Sequence, residues 1–177
     1  MKGHCILSHG FESGPNATKV TALSDVAEKL GWTHERPDYT AFDARTEVSD
    51  LGDVPSRREH LRSLIEAALP RGPVVLAGSS LGSYISAMES VNYPVAGLFL
   101  MAPPIFRDYD GGAHQLQSGE MPISVVHPWD DELIPYQHVV DWAQARRARL
   151  LLVHDTHRLE KHVAASAEAF EQFLRTL

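Results

Sequence analysis

Gly78-Ser79-Ser80-Leu81-Gly82 sets a serine between two glycines, directly after the apolar run Pro73-Val74-Val75-Leu76-Ala77. A strand that runs into a tight turn and then a helix would lift the Ser80 hydroxyl clear of the sheet end. The glycines would let backbone and helix crowd around it. The chemistry open to such a serine is attack on a carbonyl carbon. A hydroxyl is a weak nucleophile at neutral pH, so it needs a general base, and the base needs an acid to orient it. The charge that develops on the substrate oxygen needs preorganised donors. The bland alternative is an ordinary Gly/Ser turn, and only the rest of the chain can decide between the two.

Ten histidines are available as the base, so position must choose among them. His157 follows the apolar run 150–154, in the loop Asp155-Thr156-His157-Arg158-Leu159, ahead of the last amphipathic segment. A place just beyond a strand end makes it the candidate base. His154 reads as a structural residue in or along that strand, and His162 as a surface residue of the last helix. His154 and His157 also have the spacing of a metal pair, but no Cys/His/carboxylate cluster elsewhere completes such a site. The acid should follow the preceding strand, in Pro128-Trp129-Asp130-Asp131-Glu132-Leu133-Ile134-Pro135. Burial does not separate its three acidic residues.

One oxyanion donor should be the N–H of Leu81, at a helix N-terminus beside the nucleophile. The second should come from the loop after the first strand, Ser8-His9-Gly10-Phe11-Glu12-Ser13-Gly14-Pro15. There Gly10 would permit an unusual backbone that aims the Phe11 N–H inward. Phe11, Leu81, Pro104, Ile105, Phe106 and Trp129 are apolar residues on nearby loops. They are candidates for a substrate pocket, or for cover over the core.

These residues need a frame that brings strand ends together. Segments at 4–8, 33–37, 74–77, 95–101, 123–127 and 150–154 read as strands, several of them nearly all apolar as expected where both faces are covered. Amphipathic segments alternate with them: Val20, Leu23, Ala27 and Leu30 share one helical face, as do Leu61, Leu64, Ile65 and Ala68. Further helices are expected from Ser80 to about Ser90, around Trp142, and from Val163 to Leu174. Ser56-Arg57-Arg58-Glu59 reads as a capping box opening the second helix. This alternation predicts a three-layer α/β/α fold, a doubly wound parallel sheet of about six strands. Ligands bind such sheets beyond the carboxyl ends of the strands, where every candidate above lies. Residues 42–54 read as a polar, exposed connection. Residues 103–121, with Pro103-Pro104, Gly111-Gly112 and Gly119, read as a short irregular lid-like connection.

A length of 177 residues suits one domain spanning 1–177. A formal charge of −7 and the lack of a basic tract argue against nucleic acid or an anionic membrane as partner. The single cysteine, Cys5, excludes an intramolecular disulfide and reads as a buried core residue. No stretch has the pattern of a cleaved leader or the length of a membrane span, so the cytoplasm is the expected compartment.

Four elements occur in one order: His9-Gly10-Phe11, Gly78-Ser79-Ser80-Leu81-Gly82, Asp131-Glu132-Leu133-Ile134-Pro135, and His157. In this the chain resembles a compact, cap-less α/β-hydrolase over nearly its whole length. Members of that superfamily often carry His-Gly-x-x-Asp-x-x-Val-Pro at the acid loop. Here the stretch reads His127-Pro128-Trp129-Asp130-Asp131-Glu132-Leu133-Ile134-Pro135, with Pro128 where glycine is usual. The match puts the acid at Asp131, with Asp130 as runner-up. Within the superfamily the chain is most similar to small bacterial serine esterases of the YqiA-like type. Those share the look of the loop at residues 9–15 with a following lysine, here Lys19. The resemblance implies hydrolysis of small or short-chain carboxylic esters or thioesters by Ser80, His157 and Asp131, through an acyl-enzyme and without a metal or organic cofactor. The alternatives are acyl transfer or amide cleavage at the same site, or a non-catalytic binding protein on a hydrolase fold.

Overall fold

A computed structural model describes residues 2–106 and 115–177. Its centre is one parallel sheet of six strands. These are β1 (His4–Ser8), β2 (Thr33–Glu35), β3 (Val74–Ser79), β4 (Gly97–Met101), β5 (Ile123–Pro128) and β6 (Arg149–Val153). Their spatial order is β2-β1-β3-β4-β5-β6, and every neighbouring pair is parallel. The chain steps outward from β1 to one edge at β2, returns to β3, and then winds to the other edge. The carboxyl ends of β1 and β3, on either side of that reversal, are where a ligand would bind.

Strand residues alternate between two apolar layers. Cys5, Leu7, Val75, Ala77, Phe99 and Met101 face α1 (Thr18–Lys29) and α6 (Val163–Leu174). Ile6, Leu76, Leu98, Leu100 and Val125 face the other side, with α3 (Val54–Ala68), α4 (Leu81–Ser90) and α5 (Tyr136–Arg146). Both faces are covered, so β1, β3, β4 and β5 are buried throughout. That rigid layer holds the strand ends in register: Ser8 lies opposite Gly78, and Ser79 opposite Met101. No helix among the described residues is long and apolar enough to cross a membrane.

Two expectations about the segment before α3 need correction. Residues 44–50 are exposed as expected, but the stretch also contains a short helix, α2 (Thr40–Asp43), and buries Asp43 and Asp53. Moreover, α3 opens at Val54, ahead of the expected capping box. Asp53 is the cap: its Oδ1 accepts from the Ser56 N–H at 2.9 Å, and the Ser56 hydroxyl donates to its Oδ2 at 2.7 Å. Ser56 is thus the capped residue, and Pro55 sits where a missing N–H does no harm.

Of the connection at 103–121, residues 107–114 lie outside the described residues. Its two flanks are tied to the body. Ile105 and Leu116 are buried with Val139 and Trp142 of α5. The Leu116 N–H donates to the Ile105 carbonyl at 2.7 Å, and the Trp142 indole donates to the Leu116 carbonyl at 2.7 Å.

Candidate active site

Ser80 sits between β3 and α4 with φ 51° and ψ −114°, a conformation that non-glycine residues rarely adopt. Its N–H donates to the Met101 carbonyl at 2.9 Å, which ties the turn to β4. The flanking glycines are needed for space. A Cβ on Gly78 would run into the backbone of Gly82, and one on Gly82 into the carbonyl oxygens of Ser8 and His9. The close approach of α4 to the end of β1 that they allow brings the first-strand loop beside Ser80. Strain of this kind persists where the surroundings over-determine it, and such places are commonly functional.

The structure brings Ser80, His157 and Asp131 together. His157 Nε2 lies 2.9 Å from the Ser80 hydroxyl oxygen. His157 Nδ1 lies 2.8 Å and 3.0 Å from the two carboxylate oxygens of Asp131. A carboxylate can only accept, so Nδ1 carries the hydrogen and Nε2 keeps its lone pair toward Ser80. Asp131 Oδ1 also accepts from the N–H groups of Leu133 at 2.9 Å and Ile134 at 2.8 Å. Burial alone would push the Asp131 carboxyl up. The hydrogen bonds from His157 and these backbone donors outweigh it and hold the carboxyl below its ordinary range. Asp130 and Glu132, its neighbours, are exposed. Glu132 accepts from the His157 N–H at 3.1 Å and so fixes the backbone of the loop rather than its ring.

His127, on β5 behind Asp131, has a supporting place that the sequence pattern did not reveal. It is wholly buried, with Nε2 3.0 Å from the Ile134 carbonyl and 3.7 Å from Asp131 Oδ2. Nε2 therefore carries the hydrogen, and burial lowers the pKa of the ring. Pro128, standing where glycine was expected, closes β5 in register with Val153.

The other sequence candidates divide. Gly10, Phe11 and Leu81 line a cleft of about 570 Å³ with Ser80 and His157. Gly10 does not have a positive φ, contrary to expectation. A side chain there would instead crowd the Ser79 carbonyl oxygen, at 3.3 Å. The left-handed residue of the loop is Glu12, at φ 53°. Pro104, Ile105, Phe106 and Trp129 do not line the cleft. Pro104 is buried, Ile105 is core, Phe106 stacks edge-on against His138, and Trp129 against Tyr136. Leu51, Leu133 and Val163 line it instead, and so does Lys19, whose Nζ donates to the Arg158 carbonyl at 2.5 Å.

The other two histidines also differ from expectation. His154 lies just past β6 and is exposed. His162 stands at the position before α6, its ring 3.1 Å from the buried Asp155 and not bonded to the helix end. Among the described residues, no group of three or more His, Cys, Asp or Glu side chains could hold a metal ion.

The fold has solved counterparts. An α/β-superfamily protein from Xanthomonas campestris pv. campestris is 57% identical over 99% of this chain and 100% of its own, with a TM-score of 0.95. More distant are two proteins that share the fold. One is an alpha-beta serine hydrolase homologue from Coxiella burnetii (TM-score 0.67, 22% identity, 97% of this chain and 85% of that one). The other is a serine hydrolase without a lid from Xanthomonas campestris (TM-score 0.73, 20% identity, 99% and 83%). No protein-family model matches the chain, and no curated protein sequence matches it.

Proposed function

The chain belongs to the α/β-hydrolase superfamily, and from that membership we propose that it is a serine hydrolase of carboxylic esters or thioesters with small or short acyl groups. The observation that carries this reading is the hydrogen-bonded series Ser80–His157–Asp131 at the wall of an open cleft.

In the proposed reaction, His157 Nε2 takes the Ser80 proton as the oxygen attacks the acyl carbon. The oxyanion that forms is met by the N–H groups of Phe11 and Leu81. The Leu81 amide opens α4, so it has no partner within the helix, and the helix dipole adds to it. Asp131 keeps His157 in the required tautomer and stabilises its cation. His157 then gives the proton to the departing alcohol or thiol, which leaves an acyl-enzyme on Ser80. Water, deprotonated by the same histidine, repeats the sequence and releases the acid. Every step uses side chains and amides of this chain, with a small molecule as the only partner. A small or short acyl group suits an open cleft of about 570 Å³ that takes both acyl and leaving groups. The apolar wall of the cleft includes Phe11, Leu51, Leu81, Leu133 and Val163.

The test is turnover on esters and thioesters of graded chain length, with Ser80→Ala as control and a fluorophosphonate as label. Ser80→Ala should lower kcat by roughly 10⁴-fold or more and abolish labelling, with the fold retained. Wild-type activity in the alanine variant would end the assignment. An unlabelled Ser80 in the folded wild type would instead favour a binding protein on this fold. Adding alcohols or amines to the assay separates hydrolysis from acyl transfer by product.

A further inference from the structure

Beneath the first-strand loop lies a buried polar cluster that the proposed reaction does not use. Arg57, on α3, is wholly buried, and Asp43 and His9 nearly so. Arg57 grips Asp43 with two parallel bonds, Nε to Oδ1 at 2.6 Å and Nη2 to Oδ2 at 2.7 Å. Two of its three remaining hydrogens turn to the loop: Nη1 donates to the His9 carbonyl and Nη2 to the Gly10 carbonyl, each at 3.2 Å. The guanidinium lies over the Tyr39 ring, 4.6 Å from its centre.

The tautomer of His9 follows from its neighbours. The Tyr39 N–H donates to His9 Nε2 at 3.0 Å, so Nε2 holds a lone pair. The hydrogen is then on Nδ1, which donates to the carbonyl of Gly10 at 2.7 Å. The 3.5 Å approach of Arg57 Nη2 to Nδ1 is between two donors and is not a bond. The Gly10 carbonyl thus accepts from both an imidazole and a guanidinium. That carbonyl and the Phe11 N–H belong to one planar trans peptide, in which they point in opposite directions. Anchoring the oxygen inward turns the N–H away from the buried cluster, on the side where Phe11 and Ser80 line the cleft. A cation at the carbonyl end also polarises the peptide and strengthens its N–H as a donor.

We propose that Arg57, held by Asp43, is a positioning residue that acts with His9 to clamp the Gly10 carbonyl and so aim the Phe11 N–H at the oxyanion. The catalytic consequence rests on the serine-hydrolase reading; the clamp itself does not. Packing alone does not call for the pair, because apolar residues of like volume commonly replace a buried ion pair without loss of stability. What an apolar pair could not supply is the two hydrogen bonds to the loop carbonyls.

The test compares the full-length wild type with three variants. Arg57→Lys keeps the charge, but its single nitrogen cannot span Asp43 and both carbonyls. The double variant Arg57→Met/Asp43→Leu removes both charges together and so avoids a lone buried carboxylate. Arg62→Ala, on the same helix as Arg57, breaks an ion pair to Glu89 of α4, which Arg58 still holds. The readouts are the Phe11 amide resonance with its order parameter, and kcat and KM on a short-chain p-nitrophenyl ester. In the two Arg57 variants the resonance should shift and lose order. Their kcat should fall at least about 10-fold, with KM within about twofold. Arg62→Ala should match the wild type in all of these. An unchanged Phe11 amide and kcat in the double variant overturn the proposal, as does an equal loss in Arg62→Ala. A wild type that turns over no ester and takes no label at Ser80 ends the serine-hydrolase reading instead, and the amide readout then judges the clamp by itself.

Discussion

Three consecutive acidic side chains follow β5, and backbone geometry makes one of them different. The loop turns so that two N–H groups, of Leu133 and Ile134, converge on the carboxylate of Asp131. Its free oxygen face then meets His157 Nδ1, while Asp130 is left in solvent. Asn at position 131 would keep the shape but could place an amide N–H where His157 needs an acceptor, which favours the wrong tautomer. Asp131→Asn is therefore expected to lower kcat by about 10⁴-fold, the scale seen when a triad carboxylate is made neutral. Asp130→Asn should stay within about threefold, as surface changes do. Steady-state kcat for the two variants decides, and a larger loss at Asp130 would move the acid there. Ser80 and His157 were legible in sequence because each follows an apolar strand and the strands are parallel. Of the pocket candidates, Phe11 and Leu81 were legible in the same way, and Pro104, Ile105, Phe106 and Trp129 were not. A side chain's direction in an irregular loop depends on which neighbour it packs against, and Ile105 and Trp129 found α5 and its approach instead of the cleft.

At the scale of elements, the two glycines around Ser80 set how closely α4 can approach β1. Adding a methyl at position 82 would push against the carbonyls of Ser8 and His9. Gly82→Ala should destabilise the protein by about 1–3 kcal/mol, the usual range for overpacking. The same push displaces the loop that carries Phe11, so kcat should fall beyond what the folded fraction explains. Urea unfolding and kcat per labelled Ser80 measure the two effects, and a variant as stable and active as wild type would remove this account of the motif. Five of the six strands and the long helices were legible from apolar periodicity; β2, Thr33-His34-Glu35 at the sheet edge, carries no apolar residue and was expected from its place in the alternation. The segment before α3 was not, because its polar residues look like surface. Asp43 and Asp53 are buried only because Arg57, Arg45 and Ser56 satisfy them from positions that no local pattern reveals. Lys19, noted in the sequence through resemblance alone, joins α1 to the loop of His157 by a bond to the Arg158 carbonyl.

For the whole molecule, these buried groups make stability a function of pH. Burial holds the folded-state pKa of His127 and of His9 below about 6.5, the value the unfolded chain has. Between those two values the unfolded state binds more protons. The histidines' contribution is therefore complete above about pH 6.5 and is lost as pH falls through the window below it. Asp131 and Asp155 also have lowered folded-state values. In both, burial acts upward and is outweighed, for Asp155 by the Thr156 and Lys161 N–H groups and by His162. Their contribution is complete above about pH 4 and disappears only in stronger acid. The protein should thus lose stability in two stages, histidines first. His127→Gln keeps a donor for the Ile134 carbonyl and removes one of the titrating rings. Each such group can contribute up to about 1.36 kcal/mol per pH unit. The variant should therefore lose less stability than wild type between about pH 7 and about pH 5. The loss in stronger acid that the aspartates bring is common to both proteins. Urea unfolding across this range measures the difference, and parallel curves between pH 7 and pH 5 would mean that His127 titrates alike in the folded and unfolded chain.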